Sequence, residues 1–464
     1  MSDSTSPPFS EDSLEYRDLR SILHPATNLA TLPAEGPTVR ARAQGVHVWD
    51  SQGKQYLEAM AGLWCTALGY GVEELAKTAH KQIETLSYSP LFAGISNEPS
   101  IILAEKLLSM TPIKNGKVFF GLSGSDANDT QVKLMWLYHN LIGKPEKKKI
   151  ISRWGGYHGS TVAAGSLTGL PPFHHQFDLP LPGILHTTNP NFYRSGQEGE
   201  DEETFSTRLA HELEELILFE GPETIAAFIA EPVMGAGGVI VPPAGYFEKV
   251  QQILDYYDIM FIDDEVICGF GRTGKPFGFE TFDLKPTTIS LAKALTSAYL
   301  PLSAVLVPDS IYDVVVEGTR TSGVFGHGFT YTGHPVCTAV ALRNIELIEE
   351  LDLYRQVETK SILFQKRLRE FEEYQYVGDV RGVGLIGAIE LVQDVATKQS
   401  FPKEVAAGQK CLHHCAEQGL IVRALGDVIC FCPPLVISDS QIDELFDKFA
   451  RALRVTVAEL SQIT

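Results

Sequence analysis

Phe261–Gly274 reads FIDDEVICGFGRTG, and Ser290–Lys293, further along the chain, reads SLAK. Asp263 and Asp264 close an otherwise apolar run, and Lys293 closes the next one. Apolar runs that do not alternate with polar residues mark strands buried on both faces, as in a parallel sheet covered by helices. Working outward, such runs recur at Lys117–Phe120, Lys149–Ser152, Ala226–Ala230, Met260–Asp263, Thr288–Ala292 and Ser303–Val307. Stretches of helical spacing separate them, such as Tyr246–Tyr257, YFEKVQQILDYY. The expectation is an α/β fold whose ligands gather at the carboxyl ends of the strands. After Pro335 a long helix is expected over Val336–Glu350, then strands over Gly382–Val392 and Leu420–Leu435, forming a second, smaller α/β unit. Hairpin arms at Val46–Asp50 and Gln55–Glu58 would pack onto it. The expected division is an N-terminal segment at 1–65, a large site-bearing domain at 66–335 and a small C-terminal domain at 336–464.

The 464 residues suffice for a large core and more than one domain. With 44% hydrophobic and 21% charged residues, the composition is that of a soluble globular protein. A net charge of −20 would repel a phosphate backbone, so nucleic acid is not an expected partner. No apolar run is long enough to span a bilayer, so no membrane partner is expected either. Met1–Asp12 is polar, acidic and rich in Ser and Pro, without the order of a signal peptide, and reads as a short disordered leader. Seven scattered cysteines, an odd number, suit a reducing, cytoplasmic setting. Cys411, His413, His414, Cys415, Cys430 and Cys432 offer metal-ligand types, but neither cysteine pair has the C-x-x-C spacing of a zinc turn. Buried thiols and no metal are expected. Gly196–Glu202, GQEGEDE, reads as a flexible, solvated loop.

A lysine closing a buried strand is costly unless paired or used covalently. Asp264 and Lys293, on adjacent strand ends, would face one crevice. A structural ion pair would account for these two residues alone. Other strand ends add to them. Ser123-Gly124-Ser125-Asp126 follows Lys117–Phe120 and opens a helix, leaving backbone N–H groups free to hold a phosphate. Arg153-Trp154-Gly155-Gly156-Tyr157-His158-Gly159 follows Lys149–Ser152 and sets an aromatic ring on a Gly-rich loop, suited to stacking on a flat ring. An amine, an anion, a phosphate cradle and a stacking ring together fit pyridoxal 5′-phosphate (PLP), whose pyridine nitrogen needs an anion and whose aldehyde takes a lysine.

SGSDANDT, WGGYHG, EPVMGAGG, DEVICGFGRTG, LAKALTSAYLPLSA and HGFTYTGHP occur in this order along the chain. In these motifs it resembles the class III PLP-dependent aminotransferases, and most closely the amine:pyruvate (ω-) transaminases, over about residues 20 to 460. The resemblance implies fold type I, a large domain with a mostly parallel sheet plus a smaller α/β domain, and a homodimer, or a tetramer, with sites shared between subunits. It implies that Lys293 carries PLP as a Schiff base and shuttles the proton between substrate Cα and the cofactor's C4′. Asp264 would pair with the pyridine nitrogen, and Asp263 would be structural. Val266 and Tyr157 would pack on the two ring faces, and Ser123, Gly124 and Ser125, with Thr330 of the partner subunit, would hold the phosphate. Glu231 matches a position near the phenolic oxygen. One departure is Ala294 after the lysine, where the family more often has Gly.

For substrates, the resemblance implies a pocket of Trp64, Phe92, Tyr157, Ala236 and Phe329. Arg423 matches a mobile arginine, able to pair with a keto-acid carboxylate and swing away for a neutral amine. The implied reaction is a ping-pong transfer from a primary amine or ω-amino acid to pyruvate, giving a carbonyl product and alanine, with a preference for the (S)-amine. Two other activities compete. Gly269–Gly274 spells G-x-G-x-x-G after a strand, as in dinucleotide-binding oxidoreductases, but Lys275-Pro276-Phe277-Gly278 is a poor helix start. An aminomutase or racemase on the same scaffold would share the cofactor residues; Trp64 and Arg423 favour transamination.

Overall fold

The computed structural model describes residues 9–463; Met1–Pro8, the first part of the expected leader, lie outside the described residues. Strands β1 (Arg40–Gln44), β2 (His47–Asp50) and β3 (Gln55–Glu58) form an antiparallel meander, which includes the expected hairpin. Its second turn is closed by the Asp50 carboxylate, which accepts from the N–H groups of Gln52 at 3.0 Å and Lys54 at 2.9 Å.

The large sheet contains β4 (Gly116–Gly121), β5 (Lys149–Arg153), β6 (Ile184–Thr187), β7 (Ile225–Ala230), β8 (Met260–Asp264), β9 (Thr288–Leu291) and β10 (Ser303–Pro308). Their order is β4-β10-β9-β8-β7-β5-β6. All six expected strands are present; β6 was not anticipated. It is a four-residue edge strand, only half-buried in the middle, so it lacks a strong apolar run. Every residue of β7 is buried, as a central strand requires. β10 runs antiparallel to both neighbours, unlike the rest. The connection from β9 is shorter than the dozen or so residues that a parallel crossover needs, so the chain doubles back.

Helix Pro335–Glu350, expected as Val336–Glu350, packs against helices Glu73–Leu86 and Glu98–Met110 of the large unit. The run expected as one strand at Gly382–Val392 is a hairpin of β11 (Val377–Val383) and β12 (Ile386–Leu391). Gly384 turns it at φ +57°, and a Cβ there would lie 2.4 Å from the Arg272 carbonyl oxygen, so only glycine fits. The expected run Leu420–Leu435 is broken into β13 (Leu420–Ile421), β14 (Arg423–Leu425) and β15 (Val428–Phe431), with Gly426 at φ +61° turning the last pair. Pro433 and Pro434 end it short of Leu435, because proline cannot donate to a ladder. β13 runs parallel to β3, giving a sheet of order β1-β2-β3-β13, and the other small sheet is β11-β12-β15-β14. The N-terminal hairpin therefore does pack with the C-terminal part of the chain.

Gly196–Glu202 is mostly exposed, as a solvated loop would be. Asp201 caps helix Glu202–Glu220 through the Thr204 N–H, and Glu200 pairs with Arg208 at 2.7 Å. All seven cysteines are free, with Cys411, Cys415, Cys430 and Cys432 buried. Among the described residues no helix is long and apolar enough to cross a membrane, and no group of three or more His, Cys, Asp or Glu could hold a metal ion.

Candidate active site

The site lies where β4, β5, β7, β8 and β9 end. At the end of β8, Asp264 is buried and held by three donors. Asn128 Nδ2 and His158 Nδ1 each lie 2.7 Å from its Oδ2, and the Val266 N–H reaches its Oδ1 at 3.2 Å. Asn128 also donates to the His158 carbonyl at 2.8 Å, locking the two supports together. Neighbouring side chains point to opposite sides of a strand, so Asp263 faces away from this triad. It is fully buried and faces the Glu265 carboxyl. Glu265 is buried too, accepting from the Phe279 N–H at 2.7 Å. Burial raises the carboxyls of Asp263 and Glu265, the latter to about 7, so this pair retains a proton near neutrality.

Lys293 follows β9 on a short 3-10 turn, Lys293–Leu295, with φ +47°. Its amine makes no hydrogen bond or ion pair among the described residues. Burial lowers its pKa, opposed by the charges of Asp264 and Glu231. Glu231, just past β7, accepts from the Tyr157 N–H and the Gly235 N–H, both at 3.0 Å. Burial raises its carboxyl pKa as well. Tyr157 packs edge-on against Phe173, with centroids 5.4 Å apart.

Helix Gly124–Leu141 begins beside this group. Ser123 caps it through the Asp126 N–H at 3.2 Å, and Asp126 reaches back to the Ser123 N–H at 3.1 Å. The N–H groups of Gly124 and Ser125 have no acceptor among the described residues, which leaves them for an anion. Val266 packs on this turn: a Cβ on Gly124 would lie 3.0 Å from Val266 Cγ1. Gly159 approaches from the other side, where a Cβ would lie 2.7 Å from Ser125 Cα. An unpaired buried amine, a fixed carboxylate, a face of valine and an open helix N-terminus together fit PLP.

Ser123, Gly124, Ser125, Tyr157, Glu231, Asp264, Val266 and Lys293 are thus brought together. The guanidinium of Arg423, on β14, also has no ion pair or hydrogen bond among the described residues, and its charge bears on the Tyr157 phenol. Ala236 is half-buried next to Gly235, whose N–H holds Glu231. Trp64 is buried at φ +66° on the short kinked helix Ala61–Trp64, and the Lys293 charge reaches the adjacent Cys65 thiol. Phe92, Phe329 and Thr330 lie elsewhere, in a partly exposed patch. The Tyr88 hydroxyl donates to the Thr330 carbonyl at 2.9 Å, and Phe329 packs on Phe119 with centroids 6.0 Å apart. A Cβ on Gly328 would touch the Phe92 ring, which is half exposed. Ala294 lies outside the left-handed region, so its methyl is accommodated without backbone strain. Gly269–Gly274 lies in a run of turns followed only by the four-residue helix Gly278–Thr281, which rules out a dinucleotide fingerprint there.

Sequence reasoning gave no role to Asn128, His158 or Asn344. All three are polar residues buried to within 2% exposure, a property that one-dimensional patterns show only as polar residues among apolar ones.

The aminotransferase class-III family matches residues 33–453. The chain belongs to that family. It is 50% identical over 428 residues, 92% of this chain and 82% of the relative, to gamma aminobutyrate transaminase 3, chloroplastic, of Solanum lycopersicum. Among solved structures, the omega transaminase from Pseudomonas jessenii in complex with PMP matches with a TM-score of 0.95 and 48% identity, over 97% of this chain and 99% of that one. A transaminase solved with L-alanine matches with a TM-score of 0.90 and 51% identity, over 91% of this chain and all of that one. This class III aminotransferase has the fold of PLP fold type I transaminases, and its cofactor is PLP.

Proposed function

We propose that this aminotransferase moves the amino group of a primary amine or ω-amino acid to pyruvate by a ping-pong mechanism, releasing an aldehyde or ketone and then alanine. One observation carries the acceptor half. Arg423 is a cation left unpaired beside Tyr157, whereas the nearby carboxylates Asp264 and Glu231 are already committed to their own donors. An unpaired guanidinium at a site mouth suits a substrate carboxylate. The gamma aminobutyrate relative and the structure with L-alanine support an ω-amino acid donor and alanine as product.

When bound, PLP supplies an aldehyde for amines and a ring that withdraws electrons. Lys293 Nζ would hold it covalently and, once the substrate amine takes its place, would be the free amine, its pKa lowered by burial, that takes the proton from the substrate's Cα. Asp264 would hold the ring nitrogen protonated, and Glu231 would stand near the phenolic oxygen. Val266 and Tyr157 would cover the ring faces, and Ser123, Gly124 and Ser125 would hold the phosphate. Trp64, Tyr157 and Ala236 would line the substrate pocket, and Phe92 and Phe329 of a second copy would complete it. The exposed patch around Thr330 and Phe92 suits a homodimer, or a tetramer, in which Thr330 of one copy completes the other's phosphate site. The unpaired cysteines agree with a reducing, cytosolic setting.

A panel of amines and ω-amino acids with pyruvate, scored for alanine, tests this reading. Arg423→Ala should raise the apparent KM for pyruvate at least tenfold more than that for a neutral amine. Equal effects on both would remove Arg423 from acceptor binding. No alanine from any donor, despite bound PLP, would overturn the pyruvate assignment.

A further inference from the structure

We propose that Asn344 is a positioning residue that sets the backbone of the Lys293 turn and ties it to the segment bearing Trp64. The inference rests on the reading that Lys293 carries the cofactor. Three non-glycine residues in this turn have left-handed backbone: Lys293 at φ +47°, Ser297 at +47° and Ala298 at +62°. Side chains disfavour this region, and such residues persist only where their surroundings over-determine them. Asn344, in the middle of helix Pro335–Glu350 and fully buried, supplies that restraint. Its Nδ2 donates to the Ala294 carbonyl at 2.9 Å and to the Leu295 carbonyl at 3.1 Å. Its Oδ1 accepts from the Ser297 hydroxyl at 2.5 Å.

The Ser297 oxygen accepts in turn from the Leu68 N–H at 3.1 Å. Leu68 ends the segment that begins at Ala61, and Ala61 and Trp64 are themselves left-handed at φ +46° and +66°. One buried amide thus joins the lysine turn, the tryptophan segment and a helix anchored on the large unit. The two roles use different atoms: the donors of Nδ2 hold the turn after the lysine, and Oδ1, through Ser297, holds Leu68. Neither an aliphatic residue nor an aspartate could serve both carbonyls, since neither has two donors.

The test uses the holoenzyme and the visible absorbance of the cofactor on Lys293, titrated with pH. The titratable groups facing Lys293 include the carboxyls of Asp264 and Glu231 and the thiols of Cys65 and Cys432. Asn344→Ala should move the titration midpoint by about one pH unit and lower kcat about tenfold, as loss of the two buried bonds to the lysine turn, among the three it makes, implies. Ser297→Ala keeps both carbonyl bonds, so its midpoint should stay while the KM for the amine rises about threefold. If Asn344→Ala does not fold, Asn344→Asp, of the same size but without the donors, should show the same midpoint shift. An unchanged midpoint in a folded Asn344 variant, with only its melting temperature lowered, would overturn the proposal by reducing the residue to a packing role. Borohydride reduction separates the premise: label on Lys293 upholds it, and label on another lysine overturns the reading of Lys293 itself.

Discussion

His158 Nδ1 lies 2.7 Å from Asp264 Oδ2, and both side chains are buried. The imidazole therefore orients the carboxylate proposed to face the cofactor's ring nitrogen, much as outer-layer partners orient the ligands of a metal.

His158→Ala should lower kcat by about tenfold or more, the range seen when such orienting partners are removed. The KM for pyruvate should change far less, because the acceptor's carboxylate is proposed to pair with Arg423. Steady-state kinetics with the cofactor held saturating would show it. Unchanged kcat would mean that Asn128 and the Val266 N–H suffice to hold Asp264.

Gly124 and Val266 are predicted to be coupled. A methyl on Gly124 would press on Val266 Cγ1 at 3.0 Å, so Gly124→Ala should push Val266 into the ring space and weaken PLP binding about tenfold. Adding Val266→Ala should restore part of that affinity, and a double-mutant cycle on PLP dissociation measures the coupling. Strict additivity would show that the two do not share the space.

The Asp263–Glu265 pair makes a prediction about pH. Burial raises both carboxyls, Glu265 from 4.5 to about 7. Between those pH values the folded state holds more protons than the unfolded chain, so stability falls as pH rises. Asp263→Asn removes one acid and gives Glu265 an amide donor. Its melting temperature relative to wild type should therefore rise between pH 5 and pH 8, by an amount equivalent to on the order of 1 kcal/mol. Parallel melting curves across that range would contradict the shared burial of the two acids.

Arg272 ties the chain after β8 to the C-terminal strands. Its Nη1 donates to the Leu385 carbonyl at 2.9 Å and the Pro433 carbonyl at 2.6 Å, and it is buried. Arg272→Ala leaves two buried acceptors without a donor and should cost about 2–4 kcal/mol in chemical unfolding. A midpoint shift in guanidinium chloride without change in slope is the expected signature.

Much of this was legible in the sequence. The strand ends carrying Asp264 and Lys293, the Ser123–Ser125 turn and the Tyr157 loop could each be read from apolar runs and the small residues after them. Such signals act over a few residues. Weak signals failed where context outweighed them: β6 is too short and half-exposed, and the break at Gly384 depends on the approach of Arg272, distant in sequence. Composition likewise does not reveal that Asp201, in the exposed loop Gly196–Glu202, caps the helix after it.

By itself the sequence determined the local elements, the order of the site segments and the residue types at their ends, because propensity, periodicity and turn chemistry are properties of neighbours. Only the tertiary structure decided that β10 turns back antiparallel and that β13 crosses to join β3. It alone showed that Asn128 and His158 converge on one oxygen of Asp264, that the Arg423 guanidinium has no partner among the described residues, and that Asn344 donates to the Ala294 and Leu295 carbonyls. Those outcomes depend on which buried polar groups find partners across the chain. A buried donor or acceptor must be satisfied by whatever the fold brings near it, and sequence distance does not specify that.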